Sequence, residues 1–456
     1  MRRFLLPFYL ALSGCVPSTP ADMPSRAQTL PTGSELPAVK VFSAPRPTPS
    51  VRANSDIARD FLELSFNLES GRSLQTLTRF EGPISVRVTG HPSSGLGSDL
   101  NRLLHRLRTE ARIDIRQNQS ENANITIEAV SRSEIRKMLP QAACFVAPNV
   151  SSLSEYRLAR RTSLVNWTGL KDRKKLSIFL PNDASPQEVR DCLHEELAQA
   201  LGPLNDLYRL PDSVFNDDNV HTVLTGFDML ILRAYYDPAL HNGMTKSQVA
   251  DRIGGILSRI NPRGASYAPR RLTRTPRSWI NSIQRALGPG ASQSERLNAA
   301  HEAMQIAVAM GWTDHRRAFS HYAMGRLQMS VNLKTAREHF SIASRLYGQN
   351  PSTRLHSAYA ASQLASFYIA EGNGEMALKQ IGPHLDTAAR YENAALLSTL
   401  MLQRAEALDL AGRSSEARTI RMDSLGWARY GFGPDWAVRA KLREISSLSP
   451  LKRGRG

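Results

Sequence analysis

Residues 185–206 read SPQEVRDCLHEELAQALGPLND and carry signals for both ends of a helix. Ser185 is typical of a helix N-cap, Pro186 of the first helical position, and Glu188 of the reciprocating residue in a capping box. The Gly-Pro pair near the end of the stretch predicts where the helix stops. We therefore predict a helix over residues 186–201, whose flanking residues specify both of its ends. It is called the motif helix below.

The motif helix has carboxylates at positions where a helix normally has buried apolar residues. At about 100° per residue, five apolar side chains share one stripe, and Glu196 lies in the middle of it. Glu195 and Gln199 lie one turn apart at the edge of the stripe, where they could hold one ligand between them. Alternatively, Glu196 caps a neighbouring backbone or pairs with an arginine, and Glu195 and Gln199 lie on the solvent-exposed edge of the helix. The stripe consists of Val189, Cys192, Leu193, Leu197 and Ala200.

The same stretch resembles the zinc-protease pattern HExxHxxGxxH with each of its three histidines replaced. Glu195, Gln199 and Asn205 stand at the three ligand positions. Asp206 follows the third position, and Glu196 stands where such a protease has its general base. Because imidazoles bind the zinc in an active enzyme, the resemblance implies a pseudoenzyme with no zinc and no other cofactor.

A metal-dependent hydrolase is the alternative function. The replaced ligand positions would then hold a divalent cation through oxygen, and Glu196 would be the general base of a peptidase or amidase. All-oxygen ligands suit Ca²⁺ or Mg²⁺ better than Zn²⁺. The two hypotheses therefore differ in the metal content of the purified protein.

An acidic turn at residues 210–218 follows the motif helix and supplies further polar candidates. Asp217, Asp218 and the nearby His221 could belong to a site or form an ordinary Asx turn and helix start. We expect Glu196 to accept hydrogen bonds from this turn near Ser213, because a carboxylate on an apolar stripe must be neutral or hydrogen-bonded.

The N-terminus has the pattern of an exported lipoprotein. A basic start and an apolar run too short to span a membrane predict a signal peptide over residues 1–14. The sequence at residues 12–15, LSGC, resembles a bacterial lipobox, in which Cys15 is acylated with palmitate-like chains after cleavage. Val16 favours the outer membrane over the inner one. We therefore expect a lipid anchor on Cys15 and a periplasm-facing location in the cell envelope.

Two cysteines remain once Cys15 carries lipid. An even pair in an exported protein predicts a disulfide between Cys144 and Cys192, with two free buried thiols as the alternative. In the chain-entropy view, such a bridge contributes roughly 4 kcal/mol. It would attach the segment around Cys144 to the motif helix.

The formal net charge of the 456-residue chain is +17, with a pI near 10.1. Such a charge in a cytoplasmic protein would indicate nucleic acid, but an exported protein does not meet that partner. Basic residues are dispersed, apart from a connector at residues 263–277 and a tail at residues 449–456. Attraction to anionic lipid or acidic glycan is one expected consequence, and simple solubility is the other.

The remaining patterns predict two folded regions after a disordered tether at residues 15–54. Residues 55–262 alternate strands and helices ahead of the motif helix, which is typical of an α+β domain with a mixed sheet. The same order of elements precedes the catalytic helix of metzincin-like zinc proteases, so the resemblance implies a metzincin-like shape. Strands are predicted at 84–89, 113–115, 124–128 and 176–180, with a helix at 99–108.

Residues 278–448 resemble tetratricopeptide-type helical hairpins. Similar turns recur at residues 331–336, 372–377 and 412–417, with alanines spaced by 41 and 40 residues. This period is longer than the 34-residue consensus. We predict an all-α solenoid, an architecture whose exposed face usually binds a protein partner.

Residues 55–262 also resemble an uncharacterised family of Gram-negative envelope lipoproteins known as domain of unknown function 2927. The resemblance lies in the motif-helix stretch together with DSVFND at 212–217, FDML at 227–230 and Gly243-Met244. It implies a metzincin-like shape and no substrate. The leading hypothesis is therefore a membrane-anchored binding or scaffolding module, and the rival is the hydrolase described above.

Overall fold

The computed structural model covers most of the chain. Cys15 and the predicted signal peptide lie outside the described residues, as does the end of the basic tail. Within the described part of the chain, no helix is long and apolar enough to cross a membrane. The described residues are 36–42, 48–270 and 272–452.

The N-terminal half is built on a mixed sheet of five strands in the order β2-β1-β3-β5-β4. All neighbours pair in parallel except β4, which runs antiparallel to β5 at one edge. The predicted mixed sheet is confirmed, although β4 was missed and β2 begins two residues later than expected. The strands are β1 (Ile84–Gly90), β2 (Ile115–Gln117), β3 (Ile125–Val130), β4 (Phe145–Pro148) and β5 (Leu176–Pro181).

Helices cover the sheet and bury its central strands. Every residue of β5 is buried, and so is all of β3 except Glu128, as expected for parallel strands packed on both faces. The short helices between β3 and β5 were not predicted. The helices of this half are α1 (Asn54–Phe66), α2 (Leu96–Thr109), α3 (Arg132–Met138), α4 (Leu153–Ala159), α5 (Pro186–Leu201), α6 (Gly226–Tyr235) and α7 (Lys246–Ile260).

The motif helix is α5, and its ends lie where the sequence predicts them. The Ser185 hydroxyl accepts a hydrogen bond from the backbone N–H of Glu188 at 3.2 Å. The second half of the predicted capping box is wrong, since the Glu188 carboxylate pairs with Arg132 at 2.8 Å instead. The predicted apolar stripe is buried throughout. Helix α5 therefore packs on the sheet through the stripe that contains Glu196.

A disulfide joins Cys144, just before β4, to Cys192 in the middle of α5. The predicted pairing is confirmed, and the alternative of two free thiols is wrong. Because β4 is the antiparallel edge strand, the bridge ties this edge of the sheet to the motif helix.

The C-terminal half is entirely helical, which confirms the predicted all-α solenoid class. Successive helices pack as pairs, including α8 with α9, α10 with α11 and α15 with α16. Two of the predicted turns contain a glycine in the left-handed region, Gly372 and Gly412, each with φ 77°. The helices are α8 (Arg277–Leu287), α9 (Gln293–Ala309), α10 (His315–Gln328), α11 (Leu333–Tyr347), α12 (Arg354–Ala370), α13 (Gly374–Ile381), α14 (Leu385–Arg390), α15 (Ala394–Leu410), α16 (Ser414–Phe432) and α17 (Asp435–Ser446).

Residues 36–42, within the predicted tether, lie against α16. The backbone N–H of Lys40 donates to the carbonyl of Gly426 at 3.1 Å. Phe42 stacks on Trp427 with ring centroids 4.5 Å apart. This part of the tether therefore contacts the folded protein.

Removing the Cys144–Cys192 bridge should destabilise the protein. Replacing both cysteines by alanine should lower the free energy of unfolding by roughly 4 kcal/mol, because the unfolded chain regains the loop entropy that the bridge removes. Urea titration with and without a reductant measures this loss. Reductant should lower the urea midpoint of the wild type and leave that of the double variant unchanged. A wild-type midpoint that does not respond to reductant would contradict the prediction.

Candidate functional site

The second half of α5 points two carboxyl groups toward the acidic segment that follows it. Glu196 is buried, with 5% of its surface exposed, and Glu195 is partly buried beside it. Asp206, four residues after the helix-ending Gly202, and Asp217 of the acidic turn approach the same place. Glu69, in the turn after α1, completes the group. We call these five residues, Glu69, Glu195, Glu196, Asp206 and Asp217, the acid cluster.

Sequence reasoning missed Glu69, although it named the other four members. Glu69 lies in a turn between Asn67 and Ser73, which form an isolated antiparallel bridge. It precedes α5 by more than a hundred residues and carries no motif. Only the packing of α1 against the segment after α5 brings it to the cluster, where Gln199 Nε2 donates to its carboxylate at 3.4 Å.

The acid cluster retains protons because its members share one poorly solvated space. Burial, together with the charges of Glu69 and Asp217, raises the pKa of Glu195 to about 7. Burial also raises the pKa of Glu196 and of Asp206 well above the usual range, again with neighbouring carboxylates adding to the effect. The pKa of Glu69, at the exposed rim, rises for the same two reasons while a hydrogen bond with Asp206 opposes the shift. At neutral pH several members are therefore neutral acids.

Two of the residues that the resemblance places at ligand positions, Gln199 and Asn205, have different partners. Gln199 turns to Glu69, whereas Asn205 Nδ2 donates to the backbone carbonyl of Glu63 at 3.1 Å. Among the described residues, no group of three or more His, Cys, Asp or Glu side chains is placed to hold a metal ion. The arrangement thus offers carboxyl groups that can exchange protons.

Glu196 does not bind the acidic turn in the way the sequence suggested. The Ser213 hydroxyl donates to Asp228 at the start of α6, and the backbone N–H of Phe215 donates to Ser213 at 3.0 Å. Within the described part of the chain, Glu196 Oε2 and Asp206 Oδ1 are buried without a hydrogen-bond partner. The expected link between Glu196 and Ser213 is therefore wrong, because Asp228 occupies the Ser213 hydroxyl.

The first half of α5 is held by the helical half of the protein. Arg190 is 3% exposed, and its Nη1 donates to Glu392 Oε2 at 3.0 Å. Gln187 Oε1 accepts from the backbone N–H of Ala395 at 2.9 Å, and its amide donates to Asn393 at 3.2 Å. These contacts fix the motif helix to the segment that joins α14 to α15.

The acidic turn is held in the same way. Asp218 Oδ2 lies 2.8 Å from Nε2 of His356, a residue of α12. His315 Nε2 lies 2.6 Å from the carbonyl oxygen of Tyr208. From α8, Gln284 donates to Asp217 at 3.2 Å. The predicted polar candidates Asp217 and Asp218 therefore contact the helical half. His221 packs beside His356, and its Nε2 lies 2.9 Å from the carbonyl oxygen of Pro211.

Stability should depend on pH through Glu195. The pKa of Glu195 is 4.5 in the unfolded chain and about 7 in the folded protein. The folded protein therefore holds this proton more tightly than the unfolded chain does. The resulting contribution to stability is complete below pH 4.5 and is lost as the pH rises through 7. Glu195→Gln does not titrate. Its unfolding free energy relative to wild type should therefore increase by roughly 3 kcal/mol across this window, measured by urea titration at each pH.

The buried histidines do not confound this comparison. Burial lowers the pKa of His221 and of His315 from 6.5 to about 4, so they cost stability as the pH falls, equally in both proteins. Replacing the exposed Glu302 by glutamine provides the matched control, with a pH-independent difference expected. Parallel curves for wild type and Glu195→Gln would show that Glu195 is ionised in the folded protein.

Comparison with known proteins places the acid cluster within a family domain. Residues 54–254 match the family model described as "Protein of unknown function (DUF2927)". This segment runs from the start of α1 into α7 and contains the whole sheet, the motif helix and the acidic turn. No curated protein matches the chain. The match supports the family that the sequence resembles, and residues 54–254 are called the DUF2927 domain below.

Proposed function

We propose that the protein is a lipid-anchored binding or scaffolding module of the cell envelope. The observation that supports this most is the docking of the motif helix on the helical half through Arg190 and Gln187. A catalytic helix presents its polar side chains to a substrate, whereas this helix uses two of them to join the two halves. The DUF2927 domain then acts as the base of a platform whose helical repeats bind a protein partner.

The energetics of the joint support a structural role. Arg190 forms a buried pair with Glu392 and lies over the rings of Phe42 and Tyr430, at 5.5 and 5.1 Å from their centroids. Removing one partner of a buried pair typically costs about 3–5 kcal/mol. This cost arises because the remaining partner becomes an unpaired buried charge, so the pair favours one arrangement of the two halves, as a platform requires.

A metal-dependent hydrolase is the second candidate, and one observation favours it. Glu196 Oε2 and Asp206 Oδ1 are buried without a hydrogen-bond partner among the described residues, and both belong to positions named from the zinc-protease pattern. A carboxyl group with a raised pKa also suits general acid–base catalysis near neutral pH. Against this, protonation lowers the cost of burying these carboxyl groups without a cation.

Metal content and the Glu196→Gln variant separate the two candidates. We expect residues 16–456, which include every described element, to purify without stoichiometric metal by mass spectrometry. Glu196→Gln should change the free energy of unfolding by less than about 1.5 kcal/mol, because a neutral acid and an amide have nearly the same shape. Glu196→Ala should cost at least about 2 kcal/mol by leaving a cavity.

A peptidase and amidase screen of the same proteins completes the test. The binding proposal expects no hydrolysis by either wild type or Glu196→Gln, and no change of melting temperature with a chelator. Stoichiometric Ca²⁺, Mg²⁺ or Zn²⁺, together with a hydrolysis that Glu196→Gln abolishes, would establish the hydrolase.

The lipid anchor has its own test at Cys15. Cys15→Ser removes the thiol that the acyl chains require, so the variant should accumulate as uncleaved precursor and take up no palmitate analogue. Metabolic labelling followed by membrane fractionation measures both effects. Cys144→Ala is the control, since its thiol belongs to the disulfide and its loss should leave labelling intact. Equal labelling of Cys15→Ser and wild type would refute lipidation.

A further inference from the structure

A cavity of about 810 Å³ lies where the DUF2927 domain meets the helical half. Its volume is within the range of cavities that bind small molecules. One wall comes from residues 48–51 and the start of α6, and the other from the loop before α12 together with α14. The motif-helix docking described above holds these walls at their spacing, so the cavity is part of the folded arrangement.

The walls are largely apolar. Val51 is 51% exposed and faces this space together with Pro49. Pro351 and the ring of Tyr391 line the opposite side. Exposed apolar surface inside a cavity favours a ligand with an apolar body, because burying that body removes both surfaces from water.

Seven charged residues line the cavity, and four of them are arginines. Three of the seven are already satisfied by ion pairs: Arg106 with Glu110, Asp212 with Arg52, and Glu392 with Arg190. These pairs contribute no net charge to the cavity. The charge that a ligand would meet therefore comes from the other four, which are Arg270, Arg354, Asp386 and Arg390.

The remaining charges are predominantly positive. Arg354 and Arg390 are exposed, and within the described part of the chain neither guanidinium forms a hydrogen bond or ion pair. The guanidinium of Arg270 donates only to the carbonyl of Val51, at 3.4 Å. Arg354, Arg390 and Tyr391 all line this cavity, and both guanidinium charges oppose the rise in the pKa of Tyr391 that burial causes. With Asp386 as the single opposing carboxylate of this group, the cavity carries an excess of cationic donors.

We infer that this cavity binds a small amphipathic anion, with an apolar chain along the walls and a carboxylate or phosphate group held by Arg354 and Arg390. Guanidinium groups bind both anions through paired N–H donors, so the arginines recognise the charge and the fork of oxygens. The net charge of +17 would also draw such a ligand toward the protein. This inference rests on the proposed binding function and names the ligand class for it.

The test measures binding of decanoate, decyl phosphate and decan-1-ol to residues 16–456 by isothermal titration calorimetry. We expect both anions to bind with one site per chain and decanol to bind at least about tenfold more weakly, since it lacks the charge-assisted hydrogen bonds. Tighter binding of decanoate identifies a fatty-acid-like ligand, and tighter binding of decyl phosphate identifies a phospholipid-like one.

Two double variants distinguish binding in the cavity from attraction of the anion to the overall charge of the protein. Arg354→Gln with Arg390→Gln should weaken binding of the better anion by at least about tenfold and leave the melting temperature unchanged, because within the described part of the chain neither guanidinium forms a hydrogen bond or ion pair. Arg136→Gln with Arg157→Gln removes the same charge from exposed positions on α3 and α4 and should leave the Kd unchanged. Equal effects of the two double variants would overturn the inference.

Filling the space provides an independent variant. Ser357, in α12, lines the cavity and is partly exposed, so Ser357→Trp should block the apolar wall while both arginines remain. We expect loss of decanoate binding with a wild-type melting temperature. Unchanged binding, or no binding of any probe to the wild type, would refute the site. Anion binding together with stoichiometric metal would instead refute the scaffolding function and leave this site intact.

Discussion

The arrangement of this protein depends on the buried contact between Arg190 and Glu392. Arg190 belongs to the motif helix, which the apolar stripe and the Cys144–Cys192 bridge fix to the sheet. Glu392 lies between α14 and α15 in the helical half. A buried guanidinium must be paired, so neither half can move away without exposing or orphaning a charge. This pair, together with the contacts of Gln187 and Asp218, holds the two halves at the spacing across which the cavity forms.

The acid cluster lies largely on the stretch that resembles a zinc-protease pattern with oxygen-bearing side chains in place of the imidazoles. Without a cation, carboxyl groups brought together in a poorly solvated space lower their free energy by keeping protons. Their neutral forms can then lie beside apolar side chains such as those of the α5 stripe. The same pattern that would position a catalytic water in an active enzyme is compatible here with a purely structural role.

Two different parts of the N-terminal half thus acquire separate roles at the joint. The acidic turn contacts the helical half through Asp218, which pairs with His356 of α12. The start of α6 and the residues before α1 leave a space that the helical half completes. A cavity formed by two halves of one chain selects its ligand by the charges left unpaired after assembly, and here those charges are mainly arginines.

The sequence by itself determined the local elements of this protein. The capping serine, proline and glycine around the motif helix specify its ends through backbone hydrogen bonds within a few residues, and strand patterns specify most of the sheet. Family membership and the disulfide followed from motifs and cysteine count. Glu188 and Glu196 were assigned the wrong partners, because Arg132 and Asp228 reach the site from elsewhere in the fold. Only the tertiary structure decided that Glu69 joins the acid cluster and that Arg190 meets Glu392, since contacts between residues far apart in the chain depend on how whole elements pack.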